Sequence, residues 1–236
     1  MIWKATLAFA LLANLTLIGC NSQKASGYQP KPSKKAEVKP VDPGKEATLF
    51  PMAEGNQWTF EVEAAGRTDE ITLKVISVSP MEGGIKARLE FTSGTQVIDK
   101  QAWEITSNGI FQLSAGNPEV TFSPRQTAVP FPIEVGKKFA WKGTALLPIG
   151  QAGPSSHKNE VQAWQLVDSG IGRVTALPIQ TYAEFMAKVD GQDVPATMAS
   201  TTYWSPGIGL VRYVQRIAVG NATSGQTLRL KSYVVK

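Results

Sequence analysis

Chemistry in this chain has few places to reside. The sequence holds one histidine, His157, and one cysteine, Cys20. His157 lies in AGPSSHKNE, which reads as a solvated polar loop. A nucleophilic role would need Ser155 or Ser156 activated by it, and neighbours in sequence rarely hold triad geometry. One His and one Cys cannot make a zinc site of His and Cys ligands. Only a carboxylate site for a hard cation remains, and no alternating-aspartate loop of the calcium type is present. Glu104, Glu160, Asp168 and Glu184 are scattered, and nothing selects from them the facing pair that a glycosidase needs. Neither GxxxxGK[ST] nor GxSxG occurs, and Gly170-Ile171-Gly172 reads as a turn rather than a phosphate cradle. Arg88, Arg125, Arg212 and Arg216 form no clear anion site. Trp58, Trp103, Trp141, Trp164 and Trp204 could line a sugar or lipid groove. Core packing is the stronger reading for them, since a β domain of this size needs large rings inside. The expectation is a protein without catalytic residues, metal ligands or cofactor, and not an enzyme.

Cys20 is the exception. MIWK carries one positive charge at Lys4, and fifteen largely apolar residues, ATLAFALLANLTLIG, follow it without a charge. A spanning helix needs about 20 apolar residues, so this run is short. Charged start, apolar centre and small-residue end make residues 1–19 a signal peptide. Leu17-Ile18-Gly19-Cys20 resembles the lipobox of bacterial lipoproteins, in which the cysteine is acylated and becomes the new N-terminus. The resemblance implies at least two acyl chains. One chain alone holds weakly, at about 0.8 kcal/mol per buried methylene, so two are needed for stable attachment. Asn21 stands where an aspartate favours inner-membrane retention in enterobacterial lipoproteins, which leans the expectation toward the outer membrane of a bacterial envelope.

Residues 20–47 read as the lipidated cysteine and a disordered tether. From Asn21 to Ala47 there are four prolines, six lysines and almost no bulky apolar residues, too little to offset ordering entropy. Extended, such a segment reaches at most about 90 Å, and as a flexible coil about 30 Å. Most of the formal net charge of +5 sits there and on Lys4. The basic balance is therefore a poor argument for nucleic acid, and no nucleic-acid partner is expected. The lysines either touch anionic headgroups or keep the tether soluble.

Residues 48–236 read as a β-rich domain, long enough for one sizeable core or two small lobes. IKARLEF puts Ile85, Ala87, Leu89 and Phe91 on one face, the period of a half-buried strand. DEITLKVISV alternates and slips at Val75-Ile76, as a bulge requires. TLRLKSYVV sets Leu228, Leu230 and Val234 on one side. Glu82-Gly83-Gly84, Ser107-Asn108-Gly109, Asp190-Gly191 and Asn221 to Gly225 mark turns. TYAEFMAKVDG fits both a helical stripe and a strand from Tyr182 to Val189, and its neighbours favour the strand.

Two stretches repeat. FPMAEGNQWTF at Phe50–Phe60 and FPIEVGKKFAW at Phe131–Trp141 share Phe-Pro-x-x-x-Gly-x-x-aromatic-x-aromatic. Proline sets an extended approach, glycine permits a positive-φ turn, and aromatics two apart share one strand face. The pairs are Trp58 with Phe60 and Phe139 with Trp141, and the repeat suggests two related halves, 49–129 and 130–236. A third module is TTYWSPGIGLVRYVQ, where Tyr203 and Trp204 precede a Pro206-Gly207 turn. The lipobox, FPxxxGxxW and YWSPGIGLV together resemble uncharacterised β-rich bacterial lipoproteins and cell-envelope proteins. The curved half-barrels of lipoprotein carriers are a looser likeness. The expected architecture is an antiparallel meander forming one two-lobed or curved half-barrel-like domain.

Three function classes follow. The first is a membrane-anchored, non-enzymatic lipoprotein that binds or scaffolds an envelope protein. The second is a carrier of a lipid or other hydrophobic ligand. The third is a hydrolase with an unrecognised carboxylate pair.

Overall fold

A computed structural model describes residues 48–236. Cys20 and the tether lie outside the described residues. The strands are β1 (Gln57–Ala64), β2 (Arg67–Met81), β3 (Gly84–Ser93), β4 (Gln96–Thr106), β5 (Gly109–Ala115), β6 (Val120–Pro130), β7 (Lys138–Leu146), β8 (Ala152–Val161), β9 (Gln165–Ser169), β10 (Gly172–Val189), β11 (Gln192–Ser205), β12 (Gly209–Val219) and β13 (Ala222–Val234).

Every described pairing is antiparallel, and consecutive strands are neighbours except around β9. β13 pairs with β1, and β10 pairs with β11 over a long ladder from Leu177↔Trp204 to Val189↔Gln192. The sheet therefore closes into a barrel of twelve strands. β9 stands outside the ring, paired to the first part of β10. The meander is as the sequence suggests, and the curvature carries the half-barrel to full closure. Tyr182 to Val189 is strand, within β10.

Alternation decides which side chains face inward. Ala87, Leu89 and Phe91 are buried in β3, as are Trp58, Phe60 and Val62 in β1. Each large ring withdraws roughly 150–250 Å² from water, worth about 4–6 kcal/mol before ordering costs. The slip at Val75 is a real bulge, since the β2–β3 register shifts between Val75 and Ser77. Leu228 and Leu230 face inward as expected, but Val234 is exposed. The β1–β13 register shifts between Thr59 and Phe60, and β13 has left the core by then. The outer surface is largely polar, with Ile76, Tyr182, Met186 and Tyr233 among the large apolar side chains exposed on it. On it Arg229 bonds Glu63 at 2.9 Å and Lys231 bonds Glu70 at 2.5 Å.

Inside, the ends of the barrel are apolar and the middle is not. At one end Leu49 and Phe50 enter the ring beside Trp58, Trp103 and Trp204. At the other, Leu147 from the β7–β8 turn packs with Phe185, Met198 and Ile217.

Candidate functional site

Following the strands inward from the aromatic end locates the site. β4 runs Trp103, Gln101, Asp99; β8 runs Val161, Asn159, His157, Ser155; β12 runs Val211, Tyr213, Gln215. The inward positions change from apolar to polar at the same depth on each. With Gln112, Gln126, Thr181, Ser200 and Gln226 they make a belt of polar side chains, Asp99 the one acid among them, on the side of the interior away from the apolar β1, β2 and β3.

The belt is largely wired to itself. Gln126 donates its amide N–H to His157 Nδ1 at 2.9 Å. His157 Nε2–H is then left to donate to Ser155 Oγ at 2.9 Å, and the Ser155 hydroxyl donates to the Glu184 carbonyl at 3.4 Å. Thr181 donates to Asn159 Oδ1 at 2.8 Å, and Gln226 Nε2 donates to Gln215 Oε1 at 2.7 Å. Burial lowers the His157 pKa to about 4, so the ring is neutral. A general base must accept the nucleophile's proton; here His157 donates toward Ser155, and its third partner is an amide rather than an acid. The contact is structural wiring.

The loop placement of His157 is therefore corrected: it lies in β8, buried beside Trp141 with ring centroids 5.0 Å apart. The reason is the polar belt. Ser155, His157 and Asn159 are the inward face of AGPSSHKNE, and a polar inward face removes the apolar alternation that marks a strand.

Asp99 is the buried acid. Its carboxylate accepts from Gln101 Nε2 at 2.6 Å and from the Gly116 N–H. Gln101 Oε1 in turn accepts from Trp103 Nε1 at 2.8 Å. Burial pushes the Asp99 pKa up to about 7, against these hydrogen bonds, with a smaller push from the Glu119 charge. A raised carboxyl is what a general acid needs, but Asp99 is not among the side chains lining the interior cavity. The sequence signal for Asp99 and Gln101 was faint: polar residues at alternate positions leading into Trp103 and Ile105.

The cavity has a volume of about 110 Å³. Its walls come from eight ring strands and the β7–β8 turn, with Trp103 and Trp204 toward one end and Leu147 toward the other. None of its lining side chains is Asp, Glu, Lys or Arg. Trp204 is buried, and its indole N–H has no hydrogen-bond partner.

The carboxylates weighed from sequence are not brought together. Glu104 pairs with Arg125, Glu160 with Lys138 at 3.9 Å and Asp168 with Arg173 at 3.4 Å, while Glu184 is exposed on β10. Of the aromatic modules, Trp58 and Phe60 are buried on β1 and Trp204 on β11, with Tyr203 half-buried under Arg212 at 5.7 Å. Trp141 is buried on β7, and Phe139 is half-buried. Among the described residues no group of three His, Cys, Asp or Glu could hold a metal ion.

No family model matches the sequence, and no curated protein matches it. Solved structures do. One, from Parabacteroides distasonis and provisionally assigned as a lipoprotein, is 13% identical, with 79% of this chain and 98% of that chain covered and a TM-score of 0.52. Two weaker likenesses accompany it. An exported protein of Bacteroides fragilis with a YmcC-like fold is 10% identical, with 78% and 98% covered and a TM-score of 0.48. The hypothetical lipoprotein YmcC of Escherichia coli is 9% identical, with 79% and 95% covered and a TM-score of 0.36. At such identities the first likeness shows a shared fold.

Proposed function

We propose that this chain is a lipid-anchored protein of the bacterial envelope whose barrel is a non-enzymatic binding module. The observation that carries it is the sidedness of the barrel. A lipid-spanning barrel presents an outward apolar band about 25 Å tall. Here β1 turns Thr59, Glu61 and Glu63 outward, β2 Glu70, Thr72 and Lys74, and β13 Arg229 and Lys231. A barrel with that exterior belongs in water, so attachment falls to the acyl chains on Cys20. Asn21 favours the outer membrane, and a likeness in fold to an assigned lipoprotein supports lipid anchoring in the envelope.

The interior favours binding over the other two classes. Small-molecule pockets usually enclose about 300–1,000 Å³ and are mostly apolar. A belt-lined cavity of about 110 Å³ suits no acyl chain. Asp99 has the raised pKa of an acid catalyst but is not among the side chains that line the cavity.

Metabolic labelling with a fatty-acid analogue tests the anchor. Wild type takes label and partitions with membranes, while Cys20→Ser takes none and is soluble or unprocessed. Equal labelling of the two would sink the reading.

A further inference from the structure

We infer that the polar belt is a binding site for one small uncharged polyol, held in the barrel interior between the aromatic end and Leu147. This deepens the binding reading of the barrel and is independent of the anchor at Cys20.

Size comes first. The cavity measures about 110 Å³. An apolar cavity of about 150 Å³ takes benzene, a molecule of six heavy atoms. The occupant is therefore of about that size, which is the size of glycerol.

Chemistry comes second. A charged occupant would sit among uncharged side chains with no counter-ion, and burying an unpaired charge is costly. An apolar occupant would take water away from the polar groups of Gln112 and Thr202 in the wall. A hydroxyl both donates and accepts, so a polyol suits the carboxamides and hydroxyls of this wall while its carbons meet the apolar parts. Gln112 is available too, since its Nε2 reaches the Ser114 carbonyl only at 3.4 Å, a weak contact. The rings of Trp103 and Trp204 stand in the same wall and meet the C–H side of such a molecule. These groups stand on strands of a closed ring, so little ordering is needed on binding.

Access comes third. β6 and β7 share a single register pair, Ser123↔Thr144, whereas β7 and β8 pair from Lys138↔Glu160 to Leu146↔Ala152. The cavity abuts this weak seam through Phe122, Gln126 and Leu146. Opening there costs few ladder bonds and leads directly to the belt.

The test uses the full chain, ¹⁵N-labelled, in detergent micelles. Glycerol and benzene are titrated separately while indole N–H signals are followed, with the Trp204 signal assigned by its loss in Trp204→Phe. The expected result is a saturable shift of that signal with glycerol and none with benzene. Thr202→Val, which removes one hydroxyl at constant shape, weakens glycerol about tenfold, the factor for one hydrogen bond of about 1.4 kcal/mol. Gln112→Met serves if Thr202→Val fails to fold. Saturation by benzene in place of glycerol overturns the proposal. So does a linear drift shared by all indoles, which means the cavity holds only water, and so does wild-type affinity in both variants.

Discussion

The two Phe-Pro modules have the same backbone and different surroundings. Gly55 has φ +84° and Gly136 φ +83°. Gly55 N–H donates to the Val75 carbonyl at 3.0 Å, and Gly136 N–H to the Val161 carbonyl at 2.7 Å. Asn56 donates back to Ala53 and Lys137 to Glu134, both at 3.0 Å. Val75 donates to Asn56 at 2.9 Å, and Val161 to Lys137 at 3.0 Å. Three hydrogen bonds recur at matching positions. β1 and β7 also stand opposite in the ring, six strands apart in either direction.

The rings then part company. Phe50 lies 5.7 Å from Trp58, 5.3 Å from Trp103 and 5.0 Å from Trp204, and Trp58 donates to the Ile208 carbonyl at 2.5 Å. Phe131 and Phe139 are only half-buried. Trp141 packs on Phe122 and His157, and its N–H bridges to the Pro124 and Arg125 carbonyls at 3.0 and 3.2 Å. It spans the place where β6 and β7 barely pair. Local sequence sets the turn and the face of the ring. What the ring then does depends on strands far away in sequence. We propose that the two halves descend from one unit whose second copy adapted to the seam.

The largest expected effect separates the rings. Trp58→Ala removes a fully buried ring from the aromatic end and costs about 3–5 kcal/mol. Trp141→Ala costs clearly less, because its cluster is small. Denaturant unfolding of both variants measures the difference. Equal losses would break the comparison.

A second contrast is electrostatic and reaches on the order of 3 kcal/mol per group. Asp99 is wired to Trp103 in the first half, and His157 touches Trp141 in the second. Asp99 is raised from 3.8 to about 7, so the folded state holds its proton longer and stability falls as pH rises across that window. His157 is lowered from 6.5 to about 4, so the unfolded state takes the proton first and stability rises with pH across that one. Between about 4 and 6.5 the two slopes oppose, and this pair leaves the wild type nearly flat. Asp99→Asn should uncover the rising slope and His157→Gln the falling one. Denaturant midpoints at three pH values check both, and identical slopes in the two variants would refute the assignment.

How far the sequence could be read follows the same division. The bulge at Val75 and the Gly turns are local events, and residues within a few positions declare them, whereas Tyr182–Val189 fits helix and strand alike and only its neighbours favour the strand. Closure is not local. It depends on β10 meeting β11 and on β13 meeting β1, and no single strand's pattern counts the strands of a ring. The polar belt was hidden for a different reason. Period-two reading assumes an apolar inside, so Ser155, His157 and Asn159 read as loop, Gln101 gives only a faint signal, and Gln112 and Gln126 give none. The cavity is legible only once those faces are known to converge.

The seam offers a prediction of about 1 kcal/mol, the worth of one hydrogen bond. Trp141→Phe keeps a ring against His157 and deletes the N–H that bridges to Pro124 and Arg125. Global stability should fall by that modest amount. Amide exchange should quicken in β6 and β7 and stay unchanged in β1 and β2. Uniform quickening around the barrel would mean that the indole does not hold the seam.

The smallest effect tests the duplication itself. Gly55 and Gly136 share a left-handed φ that an L-residue adopts at a cost of roughly 1 kcal/mol. A methyl group at Gly136 meets nothing within 4 Å, so Gly136→Ala reports backbone strain alone. At Gly55 it meets Lys236 Nζ at 3.2 Å, the movable tip of a flexible side chain. Gly55→Ala should therefore cost the same to within a few tenths of a kcal/mol, although the rings that follow differ greatly in worth. Equal small losses at the glycines beside unequal large losses at Trp58 and Trp141 would place the likeness of the halves in the backbone and their divergence in the side chains. If Gly55→Ala cost several times what Gly136→Ala does, the matching hydrogen bonds would be coincidence, and the case for one ancestral unit would rest on the Phe-Pro spacing alone.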